Sequence, residues 1–199
     1  MSDKATVLVD GGYFDYINDY SREVHGNAID LHDFGDKLAR AFGCELLRCN
    51  FYHAFPYIDD DDPTDTQVDR RESAQSFFDT LDNKPKCQFE EKGRVKQESE
   101  TCPDCSSRFT SPSQKGVDVG IAVDLVKMAS NRNAPDAFVL VSGDEDLKHA
   151  VRAAKDNHAN VYLGFAYDQS HDLYSAQQLR QEVDHQVNVV DGFLSDVTI

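Results

Sequence analysis

Apolar and polar positions alternate along this chain in two different rhythms. Residues 5–9 form a short β-branched run that stops at Asp10-Gly11-Gly12, which predicts a buried strand followed by a turn. Residues 31–42 carry Leu31, Phe34, Leu38 and Phe42 at helical spacing. Asp30 is placed to cap that helix and Gly43 to end it. Residues 46–55 read as a strand, with Leu47, Cys49, Phe51 and His53 in alternation. After the polar run Asp59 to Asp62, residues 65–81 read as a helix with Phe77, Phe78 and Leu81 facing inward. Residues 86–95 predict another strand. Residues 96–113, containing Ser, Pro and Cys but little that is apolar, read as an insertion or loop. The rhythm then resumes, with helix expected at 115–129, strand at 138–141, helix at 145–156, strand at 160–165, helix at 171–180 and a last short strand at 187–190.

Strands alternate with helices, and the first and last strands are rich in β-branched residues rather than alternating. That pattern predicts an α/β fold, a mostly parallel sheet with helices on both faces. There is no internal repeat, and 199 residues suit a single domain spanning 1–199 with 96–113 as an appendage.

Composition then restricts function. Acidic residues number 36 against 20 basic ones, a formal charge of −16, with 27 Asp to 9 Glu. Such a balance argues against binding nucleic acid through a broad basic face, and against an anionic membrane surface as partner. It leaves room for an enzyme that meets phosphate with bound metal ions. The opening segment, with only residues 5–9 apolar, fits neither a signal peptide nor a membrane span, so a cytoplasmic protein is expected. An edge strand such as 187–190 can pair between chains, which admits a homo-oligomer.

In open α/β sheets, ligands sit beyond the carboxyl ends of the strands. Asp10 follows the first strand, and Asp144 and Asp146 follow Val139-Leu140-Val141. Between them in sequence lies Lys115-Gly116-Val117-Asp118, opening a helix that is apolar nearly all round and expected to be buried. An Asp in its first turn needs a cation to offset burial. Mg²⁺ or Mn²⁺ would relieve the repulsion among these carboxylates, since hard cations prefer oxygen donors. Asp124 is about 120° further round the helix and is expected to be structural or to stand behind the metal-binding acids. Tyr13, Phe14 and Tyr16 can stack on a base or pack the first turn of the helix.

The segments Val-Leu-Val-Asp-Gly-Gly-Tyr-Phe (7–14), Lys-Gly-Val-Asp-Val-Gly-Ile-Ala-Val-Asp (115–124) and Val-Leu-Val-Ser-Gly-Asp-Glu-Asp-Leu (139–147), taken in order, resemble the NYN family. The resemblance is to its LabA-like branch, within the PIN-like nuclease superfamily. It implies a PIN-like Rossmannoid three-layer sandwich and a divalent-metal-dependent nuclease, most often a ribonuclease acting on RNA by metal-activated water. It assigns Asp10, Asp118, Asp144 and Asp146 as the catalytic, metal-binding acids. Lys115 and Ser142 match positions that touch phosphate or orient an acid. Many members have Asn shortly after the first Asp, where this chain has Gly12-Tyr13. Because the branch includes proteins discussed as regulators, the alternative is a nonenzymatic RNA- or protein-binding module. A phosphatase of the haloacid dehalogenase type needs an acid two residues after its nucleophilic Asp, and Gly12 occupies that place.

Cys102-Pro103-Asp104-Cys105 has the spacing of half a structural zinc site. Cys87 is a candidate third ligand. The fourth is open among Cys44, Cys49, a His or a residue of a second chain.

Overall fold

Strand β1 (Lys4–Asp10) separates two cores by its own alternation. Ala5, Val7 and Val9 enter one core, and Leu8 enters the other. The structure is a computed structural model, and it describes residues 2–103 and 105–197.

After β1 come α1 (Gly11–His25), α2 (Leu31–Ala41), β2 (Glu45–His53), α3 (Asp65–Asp82) and β3 (Cys87–Glu91). Strands β4 (Arg94–Thr101) and β5 (Arg108–Lys115) follow, then α4 (Val117–Ala129), β6 (Ala137–Val141), α5 (Lys148–Asp156), β7 (Asn160–Phe165), α6 (Gln177–Glu182) and β8 (His185–Asn188). The six-stranded sheet has the order β3-β2-β1-β6-β7-β8, and every pairing in it is parallel. Phe14, Ile17, Phe34, Leu38, Phe78 and Leu81 cover one face from α1, α2 and α3. Val117, Ile121, Leu125, Val151, Ala154 and Leu179 cover the other from α4, α5 and α6. This is the expected α/β sandwich with helices on both faces of a parallel sheet.

The chain runs outward from β1 through β2 to β3, then returns to place β6 on the opposite side of β1. The strand order therefore reverses between β1 and β6. Loops leaving two such strands diverge to opposite faces and leave a crevice between their carboxyl ends.

Several local expectations change. Gly11-Gly12 begins α1 instead of making a free turn, because the Asp10 carboxylate accepts a hydrogen bond from the Tyr13 N–H and so caps a helix. The strand expected over 86–95 divides at Gly93, whose φ of +73° turns the chain out of the sheet. Segment 96–113 belongs to an antiparallel hairpin, β4 with β5, instead of a loop. Its strands carry few apolar residues, so hydrophobic alternation could not reveal them. Lys115 ends β5, and the helix expected from 115 starts at Val117. Helix α4 buries one face only, leaving Val119 59% and Val123 58% exposed. Phe77 also points outward. The helix expected over 171–180 is replaced by a one-turn 3-10 segment (Gln169–His171) and the short α6. The expected strand at 187–190 is β8, which ends at Asn188. Among the described residues no helix is long and apolar enough to cross a membrane.

Candidate functional site

Asp10 sits at the carboxyl end of β1, beside the point where the strand order reverses. The Ser142 hydroxyl donates to Asp10 Oδ2 at 3.2 Å, and the same hydroxyl oxygen accepts from the Asp144 N–H at 3.2 Å. Ser142 is buried at the end of β6, so it links the two strand ends from below. Asp144 in turn accepts from the Asp146 N–H at 2.9 Å, which caps the 3-10 turn Glu145–Leu147. These local turns leave the Asp144 and Asp146 carboxylates outside the sheet edge.

Asp118 arrives from the opposite side. Gly116, with φ of +87°, starts α4 without a side-chain cap and presents the first turn of the helix to the crevice. Asp118, Asp144 and Asp146 offer ligand oxygens that all lie within 4.8 Å of one another. Oxygen donors alone, with no thiol or imidazole, suit Mg²⁺, Mn²⁺ or Ca²⁺ better than a soft metal. The second convergent group among the described residues, Asp30, His32 and Asp33, opens α2 and is already engaged. There Asp30 accepts the His32 and Asp33 N–H groups and pairs with Lys84.

Asp10 stands slightly apart from the trio but lines the same cleft, of about 640 Å³, with Asp118 and Asp144. Burial pushes the Asp10 carboxyl above its ordinary value. The Tyr13 N–H and Ser142 hydrogen bonds pull it down, and the negative charge of Asp144 adds to the rise. A charge held under those conditions favours a cation nearby.

The other expected residues divide. The Tyr13 hydroxyl accepts from the Ala166 N–H at 2.8 Å and donates to the Ala166 carbonyl at 3.1 Å, so its polar end is committed to the loop after β7. Its ring forms part of the cleft wall. Phe14 is a core residue, edge-on to Phe34 and Phe51. Tyr16 is 68% exposed at the cleft rim. Lys115 lines the cleft but pairs with Glu98 at 3.4 Å. Asp124 faces away from the trio and pairs with Lys92 at 3.0 Å, fastening α4 to the β3–β4 turn. This ion pair gives Asp124 a structural contact, one of the two roles expected for it.

The structure does not bring Cys87 to the C-x-x-C pair. Cys87 is buried in β3 opposite Cys49 of β2, whereas Cys102 and Cys105 occupy the hairpin tip. Asp104 of that motif lies outside the described residues. Cys49 is enclosed, and its hydrogen bond with Cys87 and burial raise its thiol.

Sequence reasoning missed Gln114, Asp172 and Tyr174, all of which line the cleft. Gln114 accepts from the Ala54 N–H at 3.3 Å and so ties β5 to the end of β2. Asp172 adopts φ of +54° in the loop after β7. Nothing in the local pattern marks either: Gln114 directly precedes the Lys115 motif but lies in a strand with no apolar stripe, and Asp172 reaches the cleft from a loop distant in sequence.

With that geometry in view, comparison with known proteins is informative. The family model for the NYN domain matches residues 4–190. No curated protein matches the chain. A crystal structure of a protein of unknown function from Vibrio parahaemolyticus is similar, at 22% identity and a TM-score of 0.51, over 97% of this chain and 96% of that one. At that identity the likeness concerns the fold alone.

Proposed function

The chain belongs to the NYN domain family of the PIN-like nuclease superfamily, and from that premise we propose that it is a divalent-metal-dependent ribonuclease. Support comes chiefly from one observation: three carboxylates from α4 and the β6 turn converge within 4.8 Å at the reversal of strand order. Asp118, Asp144 and Asp146 would hold the cation, with Mg²⁺ or Mn²⁺ favoured by the all-oxygen donor set. When bound, such a cation offsets the carboxylate charge, lowers the pKa of a coordinated water and stabilises charge on a phosphodiester. Asp10, fixed by Ser142 and the Tyr13 N–H, holds a further negative charge beside the cluster. Ser142 acts as a positioning residue for Asp10 and for the Asp144 backbone. Lys115 sits where release from Glu98 would let it meet phosphate. Tyr16 and Tyr174, 68% and 56% exposed at the rim, give unstacked bases an aromatic surface. Within this reading we assign the chain to the LabA-like branch, which its three motifs resemble.

The test is cleavage of end-labelled single-stranded and hairpin RNA by the full chain, with and without Mn²⁺. Cleavage that needs Mn²⁺ and is lost in Asp144→Asn supports the proposal. Equal rates for both proteins would sink it.

The open apolar rim, with Tyr16, Val119 and Tyr174 exposed, favours one second reading: a nonenzymatic LabA-like module that binds RNA or protein in this cleft. That reading predicts binding of the same RNAs without cleavage at any metal concentration.

A further inference from the structure

The β4–β5 hairpin is unlike the rest of the fold. None of its strand residues is buried, and Phe109 is 47% exposed. Its pairing runs from Arg94 opposite Lys115 at the base to Thr101 opposite Arg108 near the tip. Eight residues of strand span about 25 Å, so the tip stands well away from the base. An isolated two-stranded ribbon without an apolar face is marginally stable in water. Gly93 and the Lys92–Asp124 pair anchor the base, but neither reaches the tip.

At the tip the chain makes a compact turn around two thiols. The Cys102 N–H donates to the Ser107 carbonyl at 2.9 Å, and the Ser106 N–H donates to the Cys102 carbonyl at 2.9 Å. Ser106 takes the left-handed conformation, φ +58°, which closes the turn just after the second cysteine. Cys105 Sγ lies 3.0 Å from the Ser107 hydroxyl and within hydrogen-bonding reach of the Cys102 thiol. Both sulfurs therefore point to one place, and Cys105 is exposed. Two converging thiols on a tight turn suit zinc, which takes four ligands in a closed structural site. Among the described residues no third Cys, His, Asp or Glu of this chain joins them.

We infer that Cys102 and Cys105 bind a zinc ion together with the same two cysteines of a second copy, joining two chains at their hairpin tips. Among the described residues the site is incomplete in one chain, and the length of the arm carries it clear of the chain's own buried cysteines. A second copy supplies an identical pair, and a two-fold axis through the metal relates each cysteine to its counterpart in the second copy, giving two equivalent pairs of sulfurs. Each thiol releases its proton to solvent as it ligates. Binding of this kind also stabilises a ribbon that has no core of its own. The inference is independent of the nuclease reading, because it uses none of the cleft carboxylates.

The experiment takes the full chain, stripped of metal and kept reduced by a phosphine, and adds zinc sulfate. Zinc content and molecular mass by light scattering are read together. The expected result is one zinc per two chains and a twofold rise in mass, reversed by EDTA in the wild type. Cobalt in place of zinc should give the thiolate-to-metal absorption of a four-sulfur site. Cys102→Ser and Cys105→Ser should each lose the mass change, while Asp144→Asn should keep it, which separates this site from the acidic cleft. One zinc per chain with no change in mass, no zinc retained at all, or a dimer that persists in EDTA would each overturn the inference. The EDTA arm needs no variant, so a misfolded mutant does not blunt the test.

Discussion

The Ser142 hydroxyl lies 3.2 Å from Asp10 Oδ2, joining the carboxyl ends of β6 and β1 across the reversal of strand order. Because the same oxygen accepts the Asp144 N–H, one buried hydroxyl sets the position of two segments that carry acids. Removing it leaves Asp10 with one fewer donor and the Asp144 amide unsatisfied. Ser142→Ala should lower stability by about 1–3 kcal/mol. It should also reduce metal-dependent cleavage about tenfold, by analogy with groups that orient metal ligands. Chemical denaturation and the RNA assay, run on the same preparation, measure both.

Asp10 is expected to trade stability for function. Its carboxyl is raised, mainly by burial, so the folded state favours the neutral form. The stabilising contribution is complete below the ordinary value of 3.8 and is lost as pH rises through the folded value. At neutral pH without metal the charged group is therefore a burden. Asp10→Asn, which keeps a good helix cap, should raise the metal-free denaturation midpoint at neutral pH while abolishing Mn²⁺-dependent cleavage. A less stable variant at neutral pH would contradict this account.

The convergent trio and Asp124 should behave differently in a metal titration. Asp118→Asn, Asp144→Asn and Asp146→Asn are each expected to weaken Mn²⁺ binding at least tenfold. Asp124→Asn should leave binding near the wild-type value, since Asp124 is engaged by Lys92. Isothermal titration calorimetry separates these outcomes.

His53 supplies a pH signature outside the acidic range. Burial alone would lower its pKa, but hydrogen bonds to the Asp15 carboxylate and the Ala54 carbonyl raise it above 6.5 overall. The imidazolium thus stabilises the fold fully below 6.5, and that contribution fades as pH rises through the folded value. His53→Gln should be less stable than wild type near pH 6, with the gap narrowing at alkaline pH. A gap that widens with pH would refute the assignment.

Gly93 tests how the hairpin is set. A Cβ there would lie 2.2 Å from the Lys115 carbonyl oxygen, and the φ of +73° is itself unfavourable for an L side chain. Gly93→Ala should cost about 1–3 kcal/mol and loosen the hairpin base. Limited proteolysis should then cut within 94–115 sooner than in the wild type.

The parallel α/β architecture was legible because β1 and β6 are short apolar runs covered on both faces, and each is followed closely by small residues and an Asp. Phe14, Ile17, Tyr20 and Ser21 also lie on one face of α1, yet Gly11-Gly12 reads as a turn until Asp10 is seen to cap the helix. The hairpin was not legible, since Arg94 to Thr101 and Arg108 to Lys115 are held by backbone pairing and carry no apolar stripe. Helical angle already set Asp124 apart from Asp118, but its partner Lys92 could not be foreseen, because it comes from a turn after β3.

By itself, then, the sequence determined the fold class and the presence of Asp10, Asp118, Asp144 and Asp146 beside strand ends or a helix start. Those features depend on local pattern, on period-two burial and on small residues at turns. Tertiary structure decided which acids meet, that Ser142 links two of their segments, that Tyr13 is spent on Ala166, and that Cys87 and the hairpin cysteines lie apart. The reason is physical: convergence of side chains depends on strand order and chain crossings, and these arise from long-range packing that no stretch of neighbouring residues encodes.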